Sequence, residues 1–268
     1  MAELLRWIWK GKNMMLQRIL CEDSVEGIFT GVYDIYEKKY DRSCIELKVP
    51  GNNENYQLFT TEEVVETNIE KAKKVANTIK KRFGTVVYDS LLRVAFSMEE
   101  DKANVIFQTI CYGITYKKDE RLLENIAYAP IGRVFQINRQ VKNETNRFIE
   151  LARFEEVKGG VLFAQIEPEQ FILPLLAPHF TDRLKNENFV IYDANRKMAL
   201  IHERNKGWGI YENLDIKREN MTFEAWEDEI QELWKVFFHT IAIEERKNSK
   251  LQKNMLPLKF RKNMTEFM

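Results

Sequence analysis

Apolar and polar residues follow two different rhythms along this chain. In the first half, apolar positions recur three and four residues apart, the spacing of one helix face. LQRIL comes first and reads as a strand. EDSVEGIFTGVYDIYEKKY follows as a helix, with Asp23 as its cap and Glu26 completing a capping box. Val25, Ile28, Phe29, Val32, Tyr33 and Tyr36 fall on its apolar face. VPGNNENY is a turn-rich loop. TTEEVVETNIEKAKKVANTIKKRFG predicts a second helix, started by Thr60 and Glu63 and stopped by Gly84. Helices are also predicted for VVYDSLLRVAF, for EDKANVIFQTICYGITY and for IGRVFQINRQVKNETNR after Pro130.

The rhythm then shortens. FIELARFEEV and VLFAQIEP flank Lys158, Gly159 and Gly160, and together read as a β-hairpin. EPEQFILPLLAPHFTDRL is helical, interrupted by Pro174 and Pro178. NFVIYD and KMALIHE form a second strand pair about the turn Ala194, Asn195, Arg196, and WGIYENL adds a strand. A long helix starts near Thr222, with Phe223, Trp226, Ile230, Leu233, Trp234, Phe237 and Ile241 on one face. The expected class is α+β: a predominantly helical N-terminal half, then a C-terminal half with a small antiparallel sheet flanked by helices. The expected boundaries are an N-terminal extension over 1–15, a helical region over 16–146 and an α+β region over 147–268 with a basic end, packed as one compact unit. The extension, MAELLRWIWKGKNMM, is amphipathic and lacks the apolar stretch and cleavage site of a secretory leader. It reads either as a loosely attached segment or as an extra helix.

Composition adds bounds. Of 268 residues, 44% are apolar and 31% charged, as in an ordinary globular protein. The 41 basic and 41 acidic side chains cancel, so charge placement has to carry any argument about partners. Cys21, Cys44 and Cys111 are odd in number and widely spaced. They give no disulfide framework, and a cytoplasmic location is expected. No apolar run approaches the ~20 residues that span a bilayer, so no membrane partner is expected.

The chemistry-bearing motifs are sparse. His179, His202 and His239 lack the spacing of a zinc site, and no phosphate-binding glycine loop or nucleophile elbow is present. No metal and no cofactor is expected. Two arginine-bearing stretches stand out. NRQVKNETNRFIELARF carries Arg139, Lys142, Arg147 and Arg153; HFTDRLKNENFVIYDANRKM carries His179, Arg183, Asp193 and Arg196. A guanidinium fork suits phosphate, and equally an internal carboxylate. Arg183 or Arg147 pairing with Asp193 is the structural alternative, and His179 in a Pro-flanked apolar helix suits a structural role.

The chain closes on RKNSKLQKNMLPLKFRKNMTEFM. Arg246, Lys247, Lys250, Lys253, Lys259, Arg261 and Lys262 occur there with no acid until Glu266. Lys259, Phe260, Arg261, Lys262 and Asn263 interleave cations, an aromatic ring and an amide, which suits phosphate contact with base stacking. Six such phosphate contacts would give a log–log salt slope of roughly −4 to −5. The alternative is that these cations complement the acidic helix DEIQELW or acids elsewhere in the chain.

Several segments together resemble a bacterial family associated with DNA repair and DNA metabolism, a domain of unknown function. They are DSVEGIFTGVYDIYE, NRFIELARF, GGVLFAQIEPEQFILPLLAPHFTDR, FVIYDANRKMAL and QELWKVFFHTIAIEERKNSKLQKNMLPLKFRKNMTEF. The family pattern falls on Arg147, Phe148, Arg153, Phe154, Pro168, His179, Phe180, Arg183, Asp193 and Arg196. Near the end it falls on Leu233, Trp234, Arg246, Gln252, Pro257, Lys262, Asn263 and Glu266. Leu184 and Phe189 depart from it, where Phe and Trp are usual. The resemblance implies a place in DNA metabolism beside a radical-SAM protein encoded nearby; related domains are fused to uracil-DNA-glycosylase-like domains. It assigns no catalytic residue.

Three readings follow. The first is a nucleic-acid-binding or accessory partner of a radical-SAM enzyme, with DNA facing Arg246, Lys250, Lys253, Lys259, Arg261, Lys262 and Asn263, supported by Arg139, Arg147 and Arg153. The second is a DNA-processing hydrolase or glycosylase-like enzyme using His179 and Asp193, with Arg183 beside them. The third is a protein-interaction scaffold without DNA contact.

Overall fold

A computed structural model describes residues 16–40, 44–51, 60–217, 221–224, 226–240 and 248–267. The N-terminal extension, Arg246, Lys247 and Ile241 lie outside the described residues. The chain divides into two units at Val141 and Lys142.

The first unit is not purely helical. β1 (Leu16–Leu20) lies between β2 (Ile45–Lys48) and β3 (Thr60–Val64), and both pairings are parallel. Parallel neighbours need a crossover, and α1 (Val25–Glu37) supplies it between β1 and β2. Ser24, rather than Asp23, caps α1 by accepting the Gly27 N–H at 2.9 Å. Gly31 lets this helix settle on the sheet, because a Cβ there would stand 2.6 Å from Leu47 Cδ1. Buried Arg18 on the central strand reaches Glu46 at 3.1 Å and Glu62 at 2.9 Å, one on each neighbour. β3 stands where the sequence pattern predicts the start of a helix. Its polar sequence TTEEV suits an exposed edge strand as well as a capping box, and the parallel pairing with β1 decides.

The second helix therefore begins later. α2 (Ile69–Ala95) is capped by Asn68, whose side chain accepts the N–H groups of Glu70 and Lys71, both at 3.0 Å. Gly84 does not end it. It inserts a kink at φ 81°, ψ 169°, open essentially only to glycine, and the helix resumes beyond. α3 (Lys102–Thr115), a 3-10 turn (Leu122–Glu124) and α4 (Ala129–Leu151) follow, and α4 runs through the unit boundary. Phe29, Ile79, Phe83, Leu91, Ile106, Phe107 and Leu122 form a fully buried core. The thiol of buried Cys21 is pushed up to about 12 by burial, so it is an inert packing group.

In the second unit, five strands lie in the order β4–β5–β6–β7–β8. They are β4 (Glu155–Val157), β5 (Val161–Ile166), β6 (Asn188–Asp193), β7 (Met198–Glu203) and β8 (Gly207–Tyr211). The glycine-turn hairpin forms, but FIEL belongs to the end of α4 and the first strand is short. The sheet is mixed rather than antiparallel, because β5 and β6 run parallel. Between them lies α5 (Leu173–Arg183), and a helix joining two neighbouring strands forces that direction. Phe163, Tyr192 and Ala199 anchor one apolar cluster with Val190, Ile201 and Leu214. Phe154 meets Phe180 and Phe189 edge-on, at 5.3 and 6.1 Å between centroids. α6 (Glu227–Thr240), α7 (Ser249–Met255), α8 (Leu258–Arg261) and a 3-10 turn (Thr265–Phe267) complete the described chain.

Candidate nucleic-acid interface

The basic end is fastened to the second unit at several points. Asn248 caps α7 by accepting the Leu251 N–H at 3.0 Å, and Pro257 separates α7 from α8. Phe260 is buried edge-on against Phe148, with 5.3 Å between centroids. Met264 and Thr265 are buried as well. The Glu266 side chain is only 3% exposed. Its carboxylate accepts Arg153 Nη2 at 2.7 Å, Arg153 Nε at 3.4 Å and Trp234 Nε1 at 3.3 Å. Burial opposes ionisation of Glu266, but the Arg153 fork, a backbone N–H and Trp234 hold its pKa below the usual carboxylate value.

The cations proposed for DNA take different positions. Lys259 pairs with Glu169 at 2.8 Å and Lys262 with Glu167 at 2.7 Å, both pairs involving exposed lysines. Arg261 donates Nε to the Leu256 carbonyl at 3.1 Å and lies over the Phe267 ring at 4.7 Å. Its Nη2 is buried without a hydrogen-bond partner among the described residues. Arg153 is committed to Glu266. Lys250 and Lys253 are exposed on α7. Asn263 is half-buried next to Lys262 in sequence. Among the described residues Arg147 reaches only Glu150, at 4.0 Å, and Arg139 is exposed on the part of α4 that belongs to the first unit. The partners of the closing lysines are therefore acids that follow β5, not the helix DEIQELW. The acids Glu227, Asp228 and Glu229 instead occupy the first turn of α6, where they complement its own dipole.

Those β5 acids sit in a loop clasped from three sides. Glu144 on α4 is buried and accepts the N–H groups of Glu169 at 2.9 Å and Gln170 at 2.8 Å. Arg196 donates Nη1 to the Pro168 carbonyl at 3.0 Å and Nη2 to the Glu169 carbonyl, and Asn195 donates to Pro168 at 3.0 Å. Asp193, fully buried, takes Arg196 Nη1 at 2.8 Å and the N–H groups of Asn195 and Arg196 at 3.0 and 3.2 Å. Burial pushes the Asp193 carboxyl up, against the pull of Arg196. Its ionic partner is thus Arg196, not Arg183 or Arg147. No hydrogen bond joins His179 to Asp193 among the described residues. The His179 ring meets Phe180 edge-on at 5.0 Å, and its Nε2 is buried without a hydrogen-bond partner among the described residues. Arg183 is exposed in the last turn of α5.

A cavity of about 380 Å³ opens where α6 crosses the start of β4. Arg153, Phe154, Glu227, Ile230, Gln231, Trp234 and Thr265 line it. Glu227 is buried and accepts the Glu156 N–H at 3.1 Å, while Gln231 donates to Glu155 at 3.2 Å. Among the described residues no group of three or more His, Cys, Asp or Glu is placed to hold a metal ion.

A family profile matches residues 100–266, covering the second unit and the end of the first. The chain belongs to the DUF4130 family, a domain of unknown function. No curated protein matches this DUF4130 chain. One similar solved structure is described as a member of a family of ribosomal proteins, a DHH domain. It shares 8% identity over 72% of this chain and 74% of its own, with a TM-score of 0.32. That likeness is too remote to carry an argument. The DUF4130 segment contains the clasped loop, the Arg153–Glu266 pair and the cavity beneath α6. Sequence reasoning missed Glu144 and Glu227. Each sits in a charge-rich helix whose acids read as solvated, and only the strand or loop amides facing them reveal the role.

Proposed function

We propose that this chain is an accessory protein of DNA metabolism that docks a partner protein through α6, with DNA contact as its second task. The observation that carries this reading is the face of α6. Ile230, Leu233 and Phe237 recur at helical spacing, yet they are 51%, 66% and 52% exposed. Trp226 is also exposed, and α7 and α8 add exposed Leu251, Met255 and Leu258. Exposed apolar residues in a row along one helix face mark an interaction surface. Large aromatic and aliphatic groups of this kind serve as anchors in protein interfaces. The family resemblance supplies the partner: a radical-SAM protein encoded nearby, which would bring the chemistry that no motif of this chain provides.

Co-purification with that protein tests the reading. The wild-type chain should retain it, and Leu233→Asp with Phe237→Asp should release it without loss of fold, because both side chains are largely exposed. Failure of the wild-type chains to associate would sink the partner. DNA binding measured with and without the partner then separates an accessory that contacts DNA from a scaffold.

A further inference from the structure

The loop between α3 and the 3-10 turn carries a second basic region, which the sequence disguises. Its residues read YKKDERLLEN, a stretch that looks self-neutralised. In space it surrounds a polar cavity of about 490 Å³ lined by Tyr116, Lys117, Lys118, Asp119, Arg121, Glu124 and Asn125. Its volume falls within the range of small-ligand pockets, although its lining is polar where theirs is mostly apolar. Among the described residues, Lys117, Lys118 and Arg121 enter no ion pair. Asp119 is occupied by the Arg121 backbone N–H at 3.0 Å.

Tyrosines flank these cations. Tyr112 stacks on Tyr128 with 4.4 Å between centroids and also meets Tyr116 at 4.6 Å. Asn125 Nδ2 donates to the Tyr112 hydroxyl. Lys118 Nζ lies 6.0 Å from the Tyr112 ring. Tyr116 is the outward member, 63% exposed beside three cations. A rigid frame presents the set. Lys117 adopts φ 50°, its N–H bonds the Ile114 carbonyl at 3.3 Å and the Lys118 N–H bonds the Gly113 carbonyl at 2.9 Å. Those two bonds make the closing motif in which a left-handed residue, usually glycine, ends a helix. Glu120 rests against the Gly84 kink, where a Cβ would meet its Cγ at 3.0 Å.

We propose that this loop is a single-stranded nucleic-acid site: Lys117, Lys118 and Arg121 contact successive phosphates, and a base stacks on Tyr116. Cations paired with an exposed aromatic platform are the recurrent solution for single strands without sequence readout. The proposal rests on the DNA-contact part of the reading above and moves that contact from the basic end to the first unit.

The test is fluorescence anisotropy of the full chain with a labelled oligodeoxythymidine of roughly 12 nucleotides, titrated with salt. Tyr116→Ala should weaken binding by about tenfold. Lys117→Gly with Lys118→Ala should flatten the log–log salt slope by about 1.4, since each single-strand phosphate contact contributes about 0.7. Lys117→Gly suits the left-handed backbone, so a folding defect is not expected, and circular dichroism checks it. Unchanged affinity and slope in these variants, with binding intact, would overturn the site and leave DNA contact standing elsewhere. No binding by the wild-type chain at low salt would overturn both. Thymidine monophosphate and inorganic phosphate serve as competitors. Weak competition by both supports a strand; full displacement by the mononucleotide at similar concentration would overturn the strand in favour of a free nucleotide.

Discussion

The two basic regions of this molecule invert what their sequences suggest. The C-terminal end has no acid within reach along the chain before Glu266, yet Lys259 and Lys262 are answered by Glu169 and Glu167, 90 and 95 residues away. The loop after α3 has an acid within two residues of every cation, yet Lys117, Lys118 and Arg121 enter no ion pair among the described residues. Local charge balance therefore says little about pairing in space. Short side chains such as Asp119 turn back to cap their own backbone, while long lysines reach across the fold.

The largest expected effect lies at the anchor that holds the basic end in place. Arg153→Ala leaves the Glu266 carboxylate buried with only Trp234 and its own backbone as donors among the described residues, and should destabilise by about 3 kcal/mol. Urea unfolding followed by tryptophan fluorescence measures this, since the described tryptophans Trp208, Trp226 and Trp234 all lie in the second unit. Arg121→Ala in the other basic region should shift stability by less than about 0.5 kcal/mol, as an exposed substitution does. Equal losses at both places would remove the contrast.

The frame of the loop offers the next effect. Gly113 accepts the Lys118 N–H, and a Cβ on it would stand 2.7 Å from Cζ of the fully buried Phe83 and 3.0 Å from Leu122 Cδ2. Gly113→Ala should cost about 2 kcal/mol by overpacking, and should weaken single-strand binding because the cations lose their frame. A thermal melt unchanged from wild type would show that the loop is not built on this contact.

Acid sharpens the comparison further. Glu266 has a folded pKa below its ordinary value of 4.5, so its ionised form favours the folded state. That contribution is complete above the ordinary value and is lost as pH falls through the folded one. The stability gap between wild type and Glu266→Gln should therefore be widest near neutrality and close below about pH 4.5. A gap that is constant down to acid pH would mean that the Arg153 pair is not what holds Glu266.

Much of the fold is legible in the sequence, and the failures share a cause. The helices with strong 3.6-residue spacing are present, although one starts at Ile69 rather than Thr60 and runs past Gly84, and α6 starts at Glu227 rather than near Thr222; the strand pair β6–β7 and the glycine turn between β4 and β5 appear as expected. β3 is hidden because TTEEV carries a helix-start signal and no apolar alternation. The parallel pairing of β5 with β6 escapes the residue pattern, although both strands and the helix between them are recognisable; the connection rule contains that information. The site residues are harder. Arginine stretches are visible, but whether Asp193 meets Arg183, Arg147 or Arg196 depends on turn geometry, and the tight turn after β6 favours the nearest. The exposure of the α6 face is equally invisible, since an apolar stripe looks the same whether its own fold or a partner covers it.

The smallest expected effect is the most exacting for the comparison. Lys259 and Lys262 are about half and two-thirds exposed, and each makes one ion pair with a carboxylate of the loop after β5. Such pairs contribute roughly 0–1 kcal/mol, because water screens both charges and two long side chains lose freedom. Lys259→Ala with Lys262→Ala should therefore leave stability within about 1 kcal/mol of wild type. It should also leave the salt slope of single-strand binding unchanged, since both cations already have carboxylate partners. Glu167→Gln with Glu169→Gln is the reciprocal change. It releases both lysines, and if they can reach the strand the slope should steepen by up to about 1.4. A flatter slope in the lysine double variant would mean that phosphate displaces Glu167 and Glu169 in the bound state, and the basic end would rejoin the interface.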